Sequence, residues 1–221
     1  MTGKKIFSID GELKTKTRKR FIPKKYLLQF YNYEFSVPAY RRTQHLFFFS
    51  FFCGGINFVD MATLKNSDIK YGFTKEGVKQ KFFIYERDKT HEPIEVALNK
   101  DIERQIIYLK ENFPCRADYL LPVITTDETG KALYEHIINK RKKFNKYLKK
   151  MAKIMEFPEG LDDLSTYFAR HSFAMTLFNK TKSIDIVSAG LHHASTETTK
   201  IYLEGFGKEE IAELTDGLLA S

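Results

Sequence analysis

A chain of 221 residues is long enough to bury one sizeable core, and 36 Lys and Arg against 28 Asp and Glu leave a formal net charge of +8, which points to a polyanionic partner, nucleic acid first. Two cysteines, Cys53 and Cys115, exclude a disulfide framework and a zinc motif, so the cytoplasm is the simplest compartment. The apolar run 46–52 is seven residues long, against the roughly 20 a membrane span needs, and the first nine residues do not read as a secretion signal.

In chain order, residues 14–25 hold seven basic side chains and no acidic one, the pattern of a linker or arm lying along a DNA backbone. Residues 23–34 and 37–53 read as two helices, the second so dense in phenylalanine that it must be buried. Residues 61–68 lead into a hairpin, whose strands fall within 82–90 and 93–98 around a polar turn. A helix over 100–112 ends before Pro114, and 116–130 is loop-like. Leu133, Ile137, Phe144, Leu148, Met151 and Met155 then recur at spacings of three, four and seven, the apolar stripe of a long amphipathic helix. From Lys140 to Lys153 that helix has no acidic residue. Its polar face carries Lys142, Lys143, Lys146, Lys149 and Lys150, a density of like charge that suits contact with phosphates. Helices over 165–178, 183–190, 195–203 and 208–214 complete the chain, with Ser165, Ser183 and Ser195 as N-caps. The expected fold class is therefore mostly α with a small antiparallel sheet.

The chemistry concentrates near the end. Ala169-Arg170-His171-Ser172-Phe173-Ala174 is followed by Gly190-Leu191-His192-His193 and then by Tyr202, nine residues after His193. A tyrosine hydroxyl titrates near ~10, so it becomes a nucleophile near neutral pH only beside cations and an oriented electrophile. A guanidinium holds two phosphate oxygens at once and keeps its charge, and an imidazole donates to an oxygen on which charge builds. Alone, an Arg-His-Ser is usually a surface turn and a Thr-x-x-Tyr is usually packing. Metal binding at His192-His193 lacks a third ligand at helical offset.

This order of residues resembles the tyrosine recombinase (phage integrase) family, over roughly residues 21 to 206 and most closely over 164 to 204. The resemblance implies a catalytic domain spanning 21–221 that breaks and rejoins double-stranded DNA. Arg170 binds the scissile phosphate, His193 assists, and Tyr202 becomes joined to the 3′ phosphate. Lys89, before Thr90 on the hairpin, matches the family's general acid for the departing 5′ oxygen. No metal, cofactor or ATP is implied. Residues 1–20 are expected to be a basic linker from a preceding DNA-binding domain, and the protein to self-associate on DNA in a bacterial nucleoid.

Besides His192, which stands where the family's Leu-Gly-His pattern has its glycine, two positions depart from the family pattern. Counting back from Asp60, the slot of the first catalytic arginine holds Asn57, and the alternative slot used by some mobile-element integrases holds Gly54. Asn57 offers one hydrogen bond to phosphate where a charge-assisted pair is worth about 1.5–3 kcal/mol. Arg87 and Lys65 are the cations available to replace the missing arginine. The second departure is Tyr167, in the place of a histidine three residues before Arg170. The rival readings are a binding protein of the same fold that has lost its chemistry, and an unrelated basic helical domain in which Tyr202 only packs.

Overall fold

A computed structural model describes residues 21–193 and 196–203, with side chains through Lys200. The basic stretch before residue 21, the helix expected over 208–214, the Ser195 cap and the Tyr202 side chain lie outside what is described.

Helices α1 (Lys24–Asn32) and α2 (Pro38–Phe52) come first. Pro38 opens α2, where its missing N–H is no loss and its fixed φ suits a helix. Leu46, Phe47, Phe48, Phe49 and Phe51 are all buried, so α2 is enclosed by its neighbours, as its near-continuous apolarity predicts. Phe30 of α1 meets Phe47 and Phe48 at 5.1 Å between ring centroids. The buried Gln44 donates from Nε2 to the carbonyls of Phe30 at 2.6 Å and Tyr33 at 2.9 Å, supplying acceptors at the end of α1 with the partner a helix cannot provide itself.

A short helix α3 (Phe58–Thr63) and a 3-10 turn (Asn66–Asp68) lead into a sheet of β1 (Ile69–Phe73), β2 (Lys79–Glu86) and β3 (Pro93–Ala97). The order is β1-β2-β3, antiparallel throughout, with Ile69 opposite Phe83 and Tyr85 opposite Ile94. The sheet has one strand more than the hairpin expected from sequence. In β1 no residue is fully buried, so the apolar alternation that marks a strand is missing from it. Phe83 stacks on Phe49 with centroids 6.1 Å apart, fixing the sheet to α2.

Helices α4 (Lys100–Asn112) and α5 (Gly130–Ile154) follow, then α6 (Thr166–Thr181), α7 (Ile184–Gly190) and α8 (Thr196–Leu203). Helices α4, α5 and α6 pack on α2, and α6, α7 and α8 pack on one another. Ser183 caps α7, accepting the Ile186 N–H at 3.3 Å. Ser165 stands at the N-cap of α6 without a side-chain cap bond, a correction to the sequence reading. A tertiary contact does part of that work: Asn145 Oδ1 of α5 accepts the Thr166 N–H at 3.0 Å, and one turn on Lys149 pairs with Asp163 at 2.5 Å. The two contacts dock the start of α6 on α5. No described helix is long and apolar enough to cross a membrane.

Candidate active site

The site begins with two glycines after α2. Gly54 and Gly55 have φ of 70° and 71°, a conformation open to glycine and costly for other residues. A Cβ on Gly54 would lie 2.3 Å from the Gly190 oxygen, and one on Gly55 would lie 2.3 Å from Arg170 Cα. The loop is thus laid directly on the backbones of α6 and of the end of α7. From there the Gly54 and Gly55 carbonyls each accept from Arg170 Nη1 at 3.3 Å.

Arg170 is half-buried and its other amino group is equally engaged. Nη2 donates to the Leu191 carbonyl at 2.7 Å and lies 2.9 Å from His193 Nε2. A guanidinium only donates, so Nε2 is the acceptor and the ring proton sits on Nδ1. Nδ1 then donates to Thr199 Oγ1 at 2.8 Å. Thr199, on α8, is 0% exposed. Burial, and then the charges of Arg170 and Arg87, push the His193 pKa down to about 4. At neutral pH the imidazole is uncharged.

The turn between β2 and β3 closes the other side. Arg87 Nη2 donates to the same Leu191 carbonyl at 3.4 Å. The turn is braced by the Arg87 N–H on the Glu92 carbonyl at 2.9 Å and the His91 N–H on the Arg87 carbonyl at 2.8 Å. From α3, Asp60, only 2% exposed, accepts the Asp88 N–H on Oδ1 at 2.9 Å. Burial raises the Asp60 pKa, with Arg87 acting in the opposite sense. Burial also raises that of Tyr85, which feels the charges of Asp60, Arg87 and Arg170.

Of the residues chosen from sequence, Arg170 and His193 are in contact, and Lys89 stands exposed on the braced turn two residues beyond Arg87. Tyr202 falls in the last turn of α8, which packs on α6 and α7, and Thr199 one turn earlier bonds His193. Asn57 caps α3: Oδ1 accepts the N–H groups of Val59 at 2.9 Å and Asp60 at 3.0 Å, while Nδ2 donates to Asp60 Oδ2. Gly54 has no room for a side chain. Tyr167 is 56% exposed and meets His171 edge-on with centroids 6.4 Å apart. Lys142, Lys143, Lys146, Lys149 and Lys150 are exposed on α5, away from the buried Phe144, Leu148 and Met151. Lys149 is paired with Asp163, and the Lys143 ammonium sits 5.7 Å from the Tyr147 ring centre. Among the described residues no group of three His, Cys, Asp or Glu is placed to hold a metal.

Sequence reasoning missed Tyr85 and the bracing role of Asp60, and it gave Thr199 no role of its own within the Thr-x-x-Tyr. Thr199 carried a signal in its place three residues before Tyr202. The single change in the family's Leu-Gly-His pattern, where His192 replaces glycine, also went unexplained. His192 has φ 52°, so that slot requires a left-handed backbone.

No protein-family model matches the chain, and no curated protein is similar to it in sequence. Solved structures are similar to it in fold. The XerH site-specific recombinase, in a post-cleavage complex with palindromic difH substrate, matches with a TM-score of 0.64 at 18% identity, over 93% of this chain and 54% of that one. XerA recombinase matches at 0.57 and 16% identity, over 88% of this chain and 62% of its own. The Tn1549 transposon integrase, in complex with transposon right end DNA, matches at 0.54 and 12%, over 94% and 68%. The chain has the fold of the tyrosine recombinase catalytic domain and spans little more than half of the XerH chain.

Proposed function

We propose that the chain performs site-specific DNA recombination or integration by transesterification, through a 3′-phosphotyrosyl intermediate. The observation that carries this reading is the meeting of Arg170, neutral His193 and Thr199 against the helix that bears Tyr202. The backbone carbonyls fix the Arg170 guanidinium in place, and the N–H it gives to His193 Nε2 is the one a phosphodiester oxygen takes over. In the reaction the Tyr202 hydroxyl oxygen attacks phosphorus, the new O–P bond replaces the bond to the 5′ oxygen, and that oxygen takes a proton from Lys89 while the phenolic proton is released. Rejoining reverses the exchange with the 5′ hydroxyl of another strand. One phosphoester bond is exchanged for another, so no ATP is consumed.

The partner in this reading is double-stranded DNA, held along the lysine face of α5, with self-association on the DNA. Covalent capture on a nicked duplex tests it: wild type forms a protein–DNA adduct, and Tyr202→Phe forms none while binding DNA nearly as well. Undiminished adduct from the Phe variant rules out Tyr202 as the nucleophile.

The second reading, a binding protein without chemistry, is favoured by one observation: Asn57, in the slot of the first arginine, is spent on capping α3. Wild type that binds its site and never forms adduct is its expected outcome.

A further inference from the structure

We propose that Arg87, delivered by the β2–β3 turn, is the second guanidinium of the phosphate site and supplies what Asn57 does not. The proposal rests on the phosphoester reading above and names a residue outside the family's usual slots. Its first support is geometric. Arg170 Nη2 and Arg87 Nη2 both donate to one oxygen atom, the Leu191 carbonyl, at 2.7 and 3.4 Å. Two cationic donors already converging on a single acceptor have the geometry that a phosphate oxygen requires.

The second support is charge. Both arginines depress the titration of His193 and of His192, so their fields overlap at the imidazoles. Asp60 is the carboxylate that faces Arg87, and its burial works against its ionisation. The charge of the exposed Asp88 opposes that ionisation too, and two guanidinia against the one buried carboxylate leave an excess of positive charge in a half-buried place. A phosphodiester anion neutralises that excess.

The third support is rigidity. Arg87 springs from a turn held at its backbone by Glu92 and His91 and tied to α3 through Asp60 and the Asp88 N–H. A braced backbone limits how far the guanidinium must reorganise when the anion arrives. Lys65, the other available cation, stands exposed at the start of the 3-10 turn, and no described contact joins it to Arg170, Leu191 or His193.

Anion binding also changes the role of His193. Once a phosphate oxygen takes the N–H that Arg170 now gives Nε2, that nitrogen is released and gains a proton, donating to the anion. The Thr199 hydroxyl, both donor and acceptor, serves Nδ1 in either state.

Two measurements on the intact chain test this. In the first, inorganic phosphate is titrated while the His193 ring is followed by NMR. Wild type is expected to bind phosphate and to show a raised His193 pKa; Arg87→Gln should bind at least about tenfold more weakly, Arg87→Lys in between, and Lys65→Gln like wild type. In the second, cleavage of a nicked duplex by Arg87→Gln should fall by about 10²–10³ with DNA affinity little changed. Phosphate binding in Arg87→Gln equal to wild type, or no phosphate response in wild type, overturns the proposal. If Arg87→Gln does not fold, Arg87→Lys carries the test, and wild-type phosphate affinity and cleavage in that variant overturn it. Phosphate bound through Arg87 in a protein that forms no covalent adduct keeps this inference and ends the transesterification reading instead.

Discussion

The Arg170 cluster and the lysine face of α5 are both basic and are built on opposite plans. Arg170 is half-buried and is bonded to three backbone carbonyls and an imidazole. The α5 lysines are exposed and, at roughly 100° per residue, fan over one side of the helix with the buried Phe144, Leu148 and Met151 opposite. The difference follows from what each charge must do. Holding one phosphorus in line for attack needs fixed, convergent donors, whereas holding a duplex needs many charges whose individual positions matter little.

The first region should therefore break at a single atom. Gly55→Ala places a Cβ 2.3 Å from Arg170 Cα at a φ of 71°, and neither the left-handed backbone nor the facing main chain can yield cheaply. The left-handed conformation alone costs about 1–2 kcal/mol, and the clash adds to it. A fall in melting temperature of at least about 4 °C is expected, with loss of covalent adduct beyond it because Arg170 is displaced. An alanine variant with wild-type melting and wild-type adduct would mean that the glycine loop does not set Arg170.

The second region should instead fade in proportion. Replacing Lys142 and Lys146 by Gln is expected to lower the log–log salt slope of duplex binding by about 0.9 for each phosphate no longer neutralised, and to leave stability within about 0.5 kcal/mol. Lys149 is the informative exception. Its pairing with Asp163 ties it to the start of α6, so Lys149→Gln should change the slope less than Lys142→Gln. Equal slopes for the two would place Lys149 with the phosphate-binding lysines despite its ion pair.

This contrast also explains what the sequence made legible. The α5 face was readable because charge and apolar period are properties of composition at fixed spacing. Arg170 and His193 were readable from order and interval within one short segment. Arg87 reaches the same carbonyl across 104 residues, and only the path of the chain brings it there. The slot arithmetic that led to Asn57 pointed to the segment after the glycine loop that lies on Arg170, but a helix cap and a phosphate ligand ask for the same short polar side chain. Strand β1 escaped because its side chains stay largely in solvent, and Ser165 misled because its side chain makes no cap bond while a neighbouring helix satisfies another first-turn N–H, that of Thr166.

Acidification probes the Arg170 cluster more gently. His193 is held well below its ordinary value of 6.5, at about 4. Between those values the unfolded chain binds a proton that the folded chain refuses, so the folded state loses stability as pH falls from about 6.5 and the loss levels off near 4. His192 is shifted in the same direction, chiefly by burial. Arg170→Gln removes a neighbouring charge and should raise the His193 pKa and narrow that window, as read from the ring resonances. An unshifted His193 in Arg170→Gln would leave burial and the charge of Arg87 as its causes.

The smallest expected effect lies at His192, where the family pattern has glycine. Its φ of 52° is one that histidine tolerates better than most residues and glycine adopts freely. His192→Gly removes that backbone penalty and returns part of it as entropy lost on ordering a glycine, so the net gain is at most about 1 kcal/mol. For a domain of this size that is a rise in melting temperature of about 2–4 °C. The ring opposes the gain, since it is half-buried and lies 3.9 Å from where a Gly54 Cβ would stand. A rise says that the backbone decides and that the histidine is tolerated in a glycine slot. A fall of more than about 1 kcal/mol says that the ring is packed against the glycine loop, which would make His192 part of the wall that fixes Arg170 and would give the departure from Leu-Gly-His a structural purpose.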